Sequence, residues 1–515
     1  MTLPAKKRLY TDRCYYSSNL DDLLFNKITF LNHPISFGEK IDWHRAELNR
    51  GTRLWKLTLH NHEFLIEAAK AYRDTSDKKY LEYCIETLLD WQAQNPLGTK
   101  DYGKDNWNSY AISLRLVSWS KIMSLLHDDI PESCKETISR SYRMQAEFLY
   151  DNLEYDILGN HLIKNWKALS FSAIFLQDDI YYDLAKKLFD KYIREQFTEN
   201  GMHEELSPMY QAIITEDFLE VYNLDSRWSH LAPLIKKQYF CITSLSDPEG
   251  YAFYNDSVNG NAVNPKELSQ LFKSTFKGYE NRPDNYRSFD GYHIFEDRHQ
   301  KLIFDSGPLV FGSQPGHGHC DALSFEYSRN GKKIFTNAGV YEYNAGERRE
   351  YSRSTAAHNT LQYSNSDQSE VYGSFRCARK STVNQSSVKR HLSGLTVTAE
   401  VTGFNFRKPV THSRTVSITT DVLEIKDNVT TQHADSEYSK IFLRLMPDFS
   451  YRKGEDVYSI VDTSGNTIGE VSCTMPCEVQ QTVFYPEFGK EAKVDTLIIN
   501  NVPVDTSVNT KIFWI

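Results

Sequence analysis

The sequence is poor in cysteine and has no long hydrophobic run. Its eight cysteines are scattered along 515 residues, and the only close pair is Cys473 and Cys477. Because no second Cys or His pair stands at a suitable spacing, this pair is a weak metal signal, and the cysteine usage favours a reducing compartment. No stretch is long enough to span a membrane. No apolar segment follows the basic residues near the N-terminus, so we expect a cytoplasmic protein with neither a signal peptide nor a membrane partner.

An excess of basic residues is also absent. The formal net charge is −9 and the chain has no basic tail, which argues against general nucleic-acid affinity. An acidic ligand would therefore need a locally basic cleft. Aromatic residues are abundant instead, with 32 Tyr, 28 Phe and 8 Trp. Such residues serve in sugar-binding clefts and, more often, in aromatic cores.

Residues 62–280 carry apolar side chains at helical spacing. In the stretch SDKKYLEYCIETLLDW, Ser76 is the expected N-cap, and Tyr80, Cys84 and Leu88 follow on one helical face. Turn signals such as NPLG, DDIPES and TENG separate this stretch from further helical ones. Serial amphipathic helices joined by short turns predict helical hairpins that pack in a ring or solenoid.

Near residue 290 the apolar period changes to two. Asn330 and Gly331 form a strong hairpin-turn signal between ALSFEYS and KKIFTNAG. Later stretches such as LTVTAEVTGF and SRTVSITTDVLEIKDNV are rich in β-branched residues. This half predicts stacked antiparallel sheets. The change from helices to strands predicts two domains with a groove between them, which suits an extended ligand.

The stretch GHGHCD places polar residues at every second position. In a strand, His317, His319 and Asp321 would share one face, and Leu323 and Phe325 would continue that face as an apolar one. Inward polar groups are costly unless they are paired, and they tend to line a cleft. Two interpretations are open at this point: a hydrogen-bonded structural cluster, or part of a functional cleft.

Four stretches combine residue types that are typical of a reaction centre. The first is GNHLIKNWKAL, where Asn160 and His161 open a helix whose N-terminus favours an anion. The second is EELSPMYQAI, where Tyr210 lies just after Pro208 at the start of another helix. The others are GHGHCD and YNAGERREYSRSTAAHNT, which gathers three arginines, a histidine and an asparagine. Structural alternatives are open for each: Asn160 as a helix cap, Tyr210 as a core or groove-wall tyrosine, and the arginines as a solvated run.

Together these stretches resemble the heparinase II/III family of polysaccharide lyases, which includes some alginate and oligo-alginate lyases. The resemblance extends over most of the chain, because RLWKLTLHNHEFL and NSYAISLRLVSW are similar to the family's N-terminal helical part and FYNDSVNG to its mid-chain aspartate segment. It implies an α+β multidomain fold. An incomplete α/α toroid with an N-terminal extension would occupy residues 1–285, and an antiparallel β-sandwich would occupy residues 286–515.

The resemblance also implies β-elimination at a uronic acid of an acidic polysaccharide or oligosaccharide. The C5 proton of the sugar is only weakly acidic until the charge of the neighbouring carboxylate is neutralised, and hydrogen bonds to that carboxylate stabilise the developing enolate-like anion. Asn160 and His161 are similar to the family's neutralising pair. Tyr210 matches the catalytic tyrosine, which donates to the leaving oxygen at C4 and also acts as base on some substrates. His317 matches a histidine that supports or performs proton abstraction.

Further residues are expected to contact the substrate. A tyrosinate near neutral pH needs cationic neighbours, because free tyrosine has a pKa of about 10, and the arginines of ERREYSR could supply them. Two tyrosines resemble an aromatic region that contributes a second catalytic tyrosine in some relatives, and core packing is an open alternative for each of them. These two are Tyr343 and Tyr351. The other substrate-binding candidates are Arg348, Arg349, Arg353, Glu205 and His358.

A structural zinc is a further implication of the resemblance. In the family, the second histidine of the HxH pattern, an aspartate after the hairpin and the histidine of HNT can bind it. His319 and His358 match two of these positions, but Asn337 stands where the aspartate is expected. An amide is a poorer zinc ligand than a carboxylate and carries no balancing charge. We therefore expect no required cofactor, keep a structural zinc as an alternative, and expect His319 and His358 to brace the site.

Two other functions remain open at this point. A glycoside hydrolase on the same scaffold would need two carboxylates at a defined separation, and the candidates are Glu204, Glu205, Asp256 and Asp321. A non-catalytic polysaccharide-binding or assembly factor of surface-polysaccharide synthesis would also suit a cytoplasmic location. The sugar, the linkage, endo or exo action and the oligomeric state do not follow from the sequence.

Overall fold

All but one of the described α-helices lie in the first 280 residues. The computed structural model describes residues 19–45, 48, 53–126, 128–280, 284–312, 314–404, 406–432 and 437–515. The N-terminal stretch that bears on a signal peptide lies outside these residues. The described α-helices are α1 (Leu20–Leu24), α2 (Arg53–Asn61), α3 (Leu65–Thr75), α4 (Lys78–Gln94), α5 (Ser109–Leu126), α6 (Glu132–Asp151), α7 (Gly159–Leu176), α8 (Asp179–Leu188), α9 (Pro208–Leu224), α10 (Ala232–Ser244), α11 (Pro265–Thr275) and α12 (Glu347–Arg353). None of the helices in these ranges is both long and apolar enough to cross a bilayer.

The helices from α3 to α10 alternate between two packed layers. The odd-numbered helices contact one another in succession, and each also contacts the even-numbered helix that follows it. Helices α5 and α7 are buried on nearly all faces, whereas α6 and α8 keep a polar outer face. This alternation of inner and outer helices is the arrangement that was predicted for an α/α toroid.

The strands pair in antiparallel ladders. They are β1 (Lys27–Phe30), β2 (His33–Ser36), β3 (Ser246–Asp247), β4 (Gly250–Tyr251), β5 (Tyr286–Phe289), β6 (Tyr292–Glu296), β7 (Gln300–Asp305), β8 (Phe325–Arg329), β9 (Lys332–Phe335), β10 (Leu361–Tyr363), β11 (Val371–Tyr372), β12 (Arg376–Cys377), β13 (Thr382–His391), β14 (Gly394–Gly403), β15 (Val410–Ile418), β16 (Val422–Thr431), β17 (Tyr438–Arg444), β18 (Phe449–Lys453), β19 (Tyr458–Asp462), β20 (Thr467–Cys473), β21 (Cys477–Phe484), β22 (Ala492–Pro503) and β23 (Ser507–Trp514). The larger sheets have the orders β5-β6-β7-β8-β9, β13-β14-β15-β16-β23-β20-β19-β18 and β10-β17-β22-β21.

The three larger sheets share one hydrophobic core. Strands β14 and β15 bury alternate residues, as expected for strands with one face inward. Their inward residues pack with apolar residues of the other two sheets. The helical core continues into the sheet part through Phe484 and Phe488. The predicted fold class, helices followed by an antiparallel sandwich, is therefore confirmed, while the exact domain boundary at residue 285 stays a prediction.

The hairpin prediction at Asn330 and Gly331 is confirmed. Arg329 pairs with Lys332 across the turn. The two turn residues have φ values of 51° and 78°, the positive values that a tight two-residue hairpin needs. The turn thus aligns β8 and β9 as the sequence indicated.

The N-cap prediction for Ser76 is wrong. Ser76 ends α3 with a positive φ of 57°. Asp77 caps α4 instead, because its side chain accepts a hydrogen bond from Lys79 N at 3.2 Å. Serine and aspartate are both favoured as N-caps, so local preference alone did not decide between neighbours.

The strand prediction for GHGHCD is also wrong, since β8 begins only at Phe325. The preceding residues form turns. A Cβ on Gly318 would lie 2.8 Å from Leu309 Cγ and 2.9 Å from Leu309 O, and Leu323 has a positive φ of 60°. The positive φ of Leu323 is incompatible with a regular strand, and the close approach to Leu309 is possible because residue 318 is a glycine.

Candidate active site

A cavity of about 700 Å³ is lined by both parts of the chain. This volume lies in the range of small-molecule sites. The helical part contributes Tyr110, Glu154, Asn160, His161, Glu205 and Tyr210, and the sheet part contributes His317, Tyr341, Tyr343, Phe375 and Phe488. Residues from all four of the stretches singled out in the sequence thus meet at one cavity.

Asn160 reaches this cavity from the first turn of α7. The N-cap of the helix is Leu158, whose side chain makes no capping hydrogen bond. Asn160 Nδ2 lies 3.4 Å from Glu205 Oε1 and 3.3 Å from His317 Nε2. Gly159 permits this approach, because its φ is 53° and a Cβ on it would lie 2.6 Å from Glu205 Oε1. Asn160 is therefore not the helix cap, and its amide faces the opposite wall.

His161 is oriented by a buried carboxylate. Its Nδ1 lies 2.9 Å from Glu154 Oε1, and its ring lies 4.3 Å from the Tyr110 ring. Asn165 holds Glu154 in turn, since Nδ2 donates to Glu154 Oε2 and Oδ1 accepts from Glu154 N, both at 2.9 Å. Because Nδ1 is engaged, Nε2 on the far side of the ring remains for a ligand.

Tyr210 stands in the first turn of α9. Ser207 caps this helix by accepting from Tyr210 N at 3.3 Å and donates its hydroxyl to Asp256 O at 2.7 Å. The Tyr210 hydroxyl lies 3.2 Å from the Tyr343 hydroxyl, and its ring lies 4.1 Å from the His317 ring. Burial, and next the proximity of Tyr343, raises the pKa of Tyr210 well above its ordinary value. The side chain is therefore a neutral phenol at pH 7, which suits a proton donor.

Asp256 is the centre of the polar cluster on the sheet side. Its Oδ2 accepts from His317 Nδ1 at 2.7 Å, and its Oδ1 accepts from His319 Nε2 at 2.8 Å. Arg349 pairs with both oxygens, with 2.9 Å between Nη2 and Oδ2. Burial alone would raise the pKa of Asp256, but Arg349 and the two histidine hydrogen bonds outweigh it and hold the pKa well below its ordinary value. Asp256 is therefore a fixed, compensated carboxylate.

This cluster sets the hydrogen-bonding state of His317. With Nδ1–H donating to Asp256, Nε2 carries the lone pair and accepts from Asn160 Nδ2 at 3.3 Å. His317 thus presents an unprotonated nitrogen to the cavity, between Asn160 and Tyr210. A nitrogen in this state is suited to take up a proton.

Two of the predicted substrate-binding arginines have to be reassigned. Arg349 and Arg353 are buried and bond to the protein itself. Besides Asp256, Arg349 donates to Ser374 O at 2.8 Å, and Arg353 donates to Arg376 O at 3.0 Å and Gly318 O at 3.2 Å. They lie behind the cavity wall. Their guanidinium N–H groups donate to backbone carbonyls and, for Arg349, to the Asp256 carboxylate. They also leave Tyr210 with a raised pKa, so the expected stabilisation of a tyrosinate is not found.

The other substrate-contact candidates of the stretch YNAGERREYSRSTAAHNT lie at different distances from the cavity. Arg348 is half exposed and lies 4.0 Å over the Tyr341 ring at the cavity rim. Tyr343 lines the cavity and contacts Tyr210. Tyr351 is not among the lining residues, and its hydroxyl accepts from Arg444 Nη2 at 2.7 Å. Of the two tyrosines left open by the sequence, the structure brings only Tyr343 to the cavity.

The four carboxylates considered for a hydrolase do not meet as a pair at the cavity. Of the four candidates only Glu205 lines the cavity. Asp256 is saturated by its partners. Asp321 is buried and accepts from Asn255 N at 2.9 Å, while Glu204 lies beside Gly312. A pair of free carboxylates facing one substrate is therefore missing among these four.

The residues at the predicted zinc position fit a metal only in part. The His319 and His358 rings lie 5.4 Å apart, and His319 Nδ1 and both His358 ring nitrogens are buried without a hydrogen-bond partner. Burial lowers the pKa of both histidines, to about 4 for His319, so they are neutral. Asn337 Oδ1, however, accepts from Asn359 N at 3.1 Å, and its Nδ2 is a donor. Two neutral imidazoles without a carboxylate do not fit a structural zinc.

His358 also has to be reassigned as a substrate contact, because it is buried and does not line the cavity. Within the described residues, no group of three His, Cys, Asp or Glu side chains could hold a metal ion. His319 and His358 thus lie in the layer behind His317.

Three residues at or directly behind the cavity wall were missed or misread in the sequence. Glu154 was not singled out, although it stands only seven residues before His161. Asp256 was noted only within the mid-chain aspartate segment and as a hydrolase carboxylate, without a role beside His317, and Phe375 was not considered. The abundance of aromatic residues was the only signal for Phe375, and the contacts of Asp256 join positions 61 to 93 residues apart.

Comparison with known proteins agrees with this architecture. Residues 15–241 match the family model "Heparinase II/III N-terminus", and residues 285–514 match "Heparinase II/III-like, C-terminal". The chain is 24% identical over 374 residues to a heparin-sulfate lyase of Pedobacter heparinus, covering 64% of this chain and 54% of that protein. It is 21% identical over 375 residues to an alginate lyase of Stenotrophomonas maltophilia, covering 58% and 50%. The chain thus spans about half the length of the curated relatives it matches.

A solved structure shows the same fold. The crystal structure of heparinase III superposes with a TM-score of 0.76 at 17% identity, covering 93% of this chain and 81% of that chain. At this identity the likeness concerns the fold alone.

Proposed function

The chain belongs to the heparinase II/III family, and from this premise we propose that it is a lyase that cleaves a uronic-acid-containing polysaccharide or oligosaccharide by β-elimination. The observation that carries the proposal is the meeting of three groups at one cavity: the Asn160 amide, the unprotonated Nε2 of His317 and the neutral hydroxyl of Tyr210. These are a carboxylate partner, a base and an acid, which are the three functions that the reaction requires.

The carboxylate of the sugar binds beside the start of α7. Asn160 Nδ2 donates to it, and His161 donates from Nε2 in its imidazolium form, whose Nδ1–H is held by Glu154. The N–H groups of the first helical turn add a favourable dipole. As the C5 proton leaves, negative charge moves onto the carboxylate oxygens, so these hydrogen bonds strengthen in the transition state.

His317 and Tyr210 then perform the two proton transfers. The Nε2 lone pair of His317 takes the C5 proton, and the electrons of that bond form the C4–C5 double bond. The C4–O4 bond breaks, and O4 takes the proton of the Tyr210 hydroxyl. The 4.1 Å separation of the two rings supports return of the proton from His317 to Tyr210 after product release.

Asp256 and Arg349 act behind His317. Asp256 holds Nδ1–H, so that Nε2 faces the cavity, and Arg349 compensates the carboxylate charge. This arrangement orients the imidazole while leaving its proton affinity at Nε2 available for catalysis.

Incubation with a panel of uronate polymers tests the proposal. Elimination leaves an unsaturated uronate that absorbs near the ultraviolet edge, whereas hydrolysis shortens the polymer without this absorbance. Shortening without absorbance would favour a hydrolase, and retention of intact polymer would favour a binding or assembly factor. The absence of both cleavage and retention for every polymer would contradict a role in polysaccharide processing.

A further inference from the structure

A surface hairpin brings an exposed aromatic ring to the mouth of the cavity. Strands β11 and β12 form this hairpin, and Phe375 stands at its turn. The Phe375 side chain is 44% exposed although it lines the cavity. Its ring lies 5.8 Å from the His317 ring and 5.5 Å from the Tyr343 ring. An exposed apolar ring is therefore placed directly beside the proposed base.

The hairpin turn is held in place by buried charge. Arg349 Nε donates to Ser374 O at 2.8 Å, and Arg353 Nη1 donates to Arg376 O at 3.0 Å. The same two arginines donate to the loop before His317, Arg349 to Gly316 O and Arg353 to Pro315 O, both at 3.2 Å. The hairpin and the histidine loop are thus tied together as one unit. This accounts for two arginines that make no direct contact with the cavity.

Three features of Phe375 together point to a ligand: its exposed ring, its position at the cavity and the buried arginines that hold its hairpin. A single exposed aromatic residue needs no explanation on a protein surface. Phe375 differs because it borders a reaction cavity and because two buried arginines hold the backbone around it. Tyr372 on the same hairpin is similarly exposed, at 51%, but does not line the cavity. A rigid, half-exposed ring loses little conformational entropy when a flat apolar surface covers it.

We propose that Phe375 is a stacking platform for the pyranose ring that neighbours the cleaved uronate. The C–H face of a sugar ring is such an apolar surface, and aromatic rings offer a large contact area at low entropic cost. The contact involves no charge, so it should persist at salt concentrations that screen the contacts to the uronate carboxylate. The proposal rests on the proposed function, because it assigns the neighbouring sugar of the same substrate.

The test compares Phe375→Ala with Phe375→Tyr and Phe375→Trp, and uses Tyr372→Ala as the matched control on the same hairpin. Heparan sulfate oligosaccharides of two, four and six sugars, and the corresponding alginate series, serve as probes. We expect Phe375→Ala to raise KM about tenfold for four and six sugars, the scale of one aromatic stacking contact, with kcat within about twofold. The aromatic replacements and Tyr372→Ala should stay within about threefold of the unaltered protein.

Calorimetric binding of the same oligosaccharides separates this inference from the proposed function. If no oligosaccharide yields unsaturated product, the lyase assignment fails, while the binding constants of the unaltered protein and Phe375→Ala still decide whether the platform exists. Equal affinities of these two proteins at every length would overturn the platform. So would a loss for Phe375→Tyr and Phe375→Trp as large as that for Phe375→Ala, because stacking requires only the ring.

Discussion

The two walls of the cavity each hold a histidine whose Nδ1 meets a buried carboxylate, but the carboxylates have different partners. On the helical wall Glu154 is held by the neutral amide of Asn165, and none of the described Lys or Arg side chains pairs with it. On the sheet wall Asp256 pairs with Arg349.

The two walls therefore differ in net charge. We call His161 and Glu154 the helical pair, and Asp256 and Arg349 the sheet pair. With a neutral imidazole, the helical pair has a net charge of −1, whereas Asp256 and Arg349 cancel. In the proposed complex, the anionic sugar therefore binds beside the imidazolium form of His161, while His317 acts as the base beside its balanced carboxylate. In the proposed mechanism, the same local motif thus serves charge compensation on one wall and proton abstraction on the other.

Breaking the sheet pair should have the largest effect. Asp256→Asn removes the negative charge, frees His317 to adopt the other tautomer and leaves Arg349 buried without a counter-ion. We expect turnover to fall by ~1000-fold or more and the free energy of unfolding to fall by about 3–5 kcal/mol. Chemical denaturation and product absorbance measure the two quantities. Arg349→Lys, which keeps the charge but not the paired geometry, should lie between this variant and the unaltered protein; near-normal turnover of Asp256→Asn would contradict the role of this pair.

Tyr210→Phe should lower turnover by ~100-fold or more while KM and thermal stability change little, because only one hydroxyl is lost. Tyr343→Phe is the matched control, since it removes the other hydroxyl of the same contact, and it should cost less than tenfold.

A pH profile sharpens the assignment of Tyr210. Since its pKa is raised, the protonated form persists well above pH 7, and loss of activity through deprotonation of Tyr210 should not begin below a pH of about 10. A larger loss in Tyr343→Phe than in Tyr210→Phe would exchange the roles of the two tyrosines.

Breaking the helical pair should have a smaller effect and act on binding. Glu154→Gln keeps an acceptor for His161 Nδ1 but removes the charge that supports a protonated ring. We expect KM to rise about tenfold, the scale of one charged hydrogen bond, with a smaller change in kcat. Calorimetry should show weaker binding of uronate oligosaccharides to Glu154→Gln than to the unaltered protein. Equal affinity and equal KM for both proteins would remove the distinction between the two walls.

The smallest effect is expected behind the sheet wall. The purified protein should contain well under one equivalent of zinc, and a chelator should shift its melting temperature by less than about 1 °C, because His319 and His358 lack a third, charged ligand. Asn337→Asp should raise the zinc content measured by elemental analysis. Adding His319→Ala should abolish that gain, since ligands of one ion do not act independently. Stoichiometric zinc in the unaltered protein would show that Asn337 suffices.

Features that depend on residues close in sequence could be predicted, whereas features that depend on contacts between distant residues could not. The hairpin at Asn330 and Gly331 was predictable because a two-residue turn is specified by its own φ values. The positions of Asn160 and Tyr210 at helix starts were predictable from the neighbouring Gly and Pro. The GHGHCD stretch was not, because its backbone follows the close approach of Gly318 to Leu309 rather than its own alternation.

The helical and sheet parts, their order and the residue types that converge on the cavity were determined by the sequence itself, because apolar periodicity and turn chemistry act over a few residues. Which carboxylate meets which cation was decided only by the tertiary structure. Asp256 reaches Arg349 across 93 positions, and distant carbonyls accept from Arg353. These contacts, rather than any local pattern, make two of the three apparently available arginines braces of the wall and leave Arg348 at the rim. The reason is physical: the charge state and exposure of a side chain depend on its neighbours in space, which local preferences do not specify.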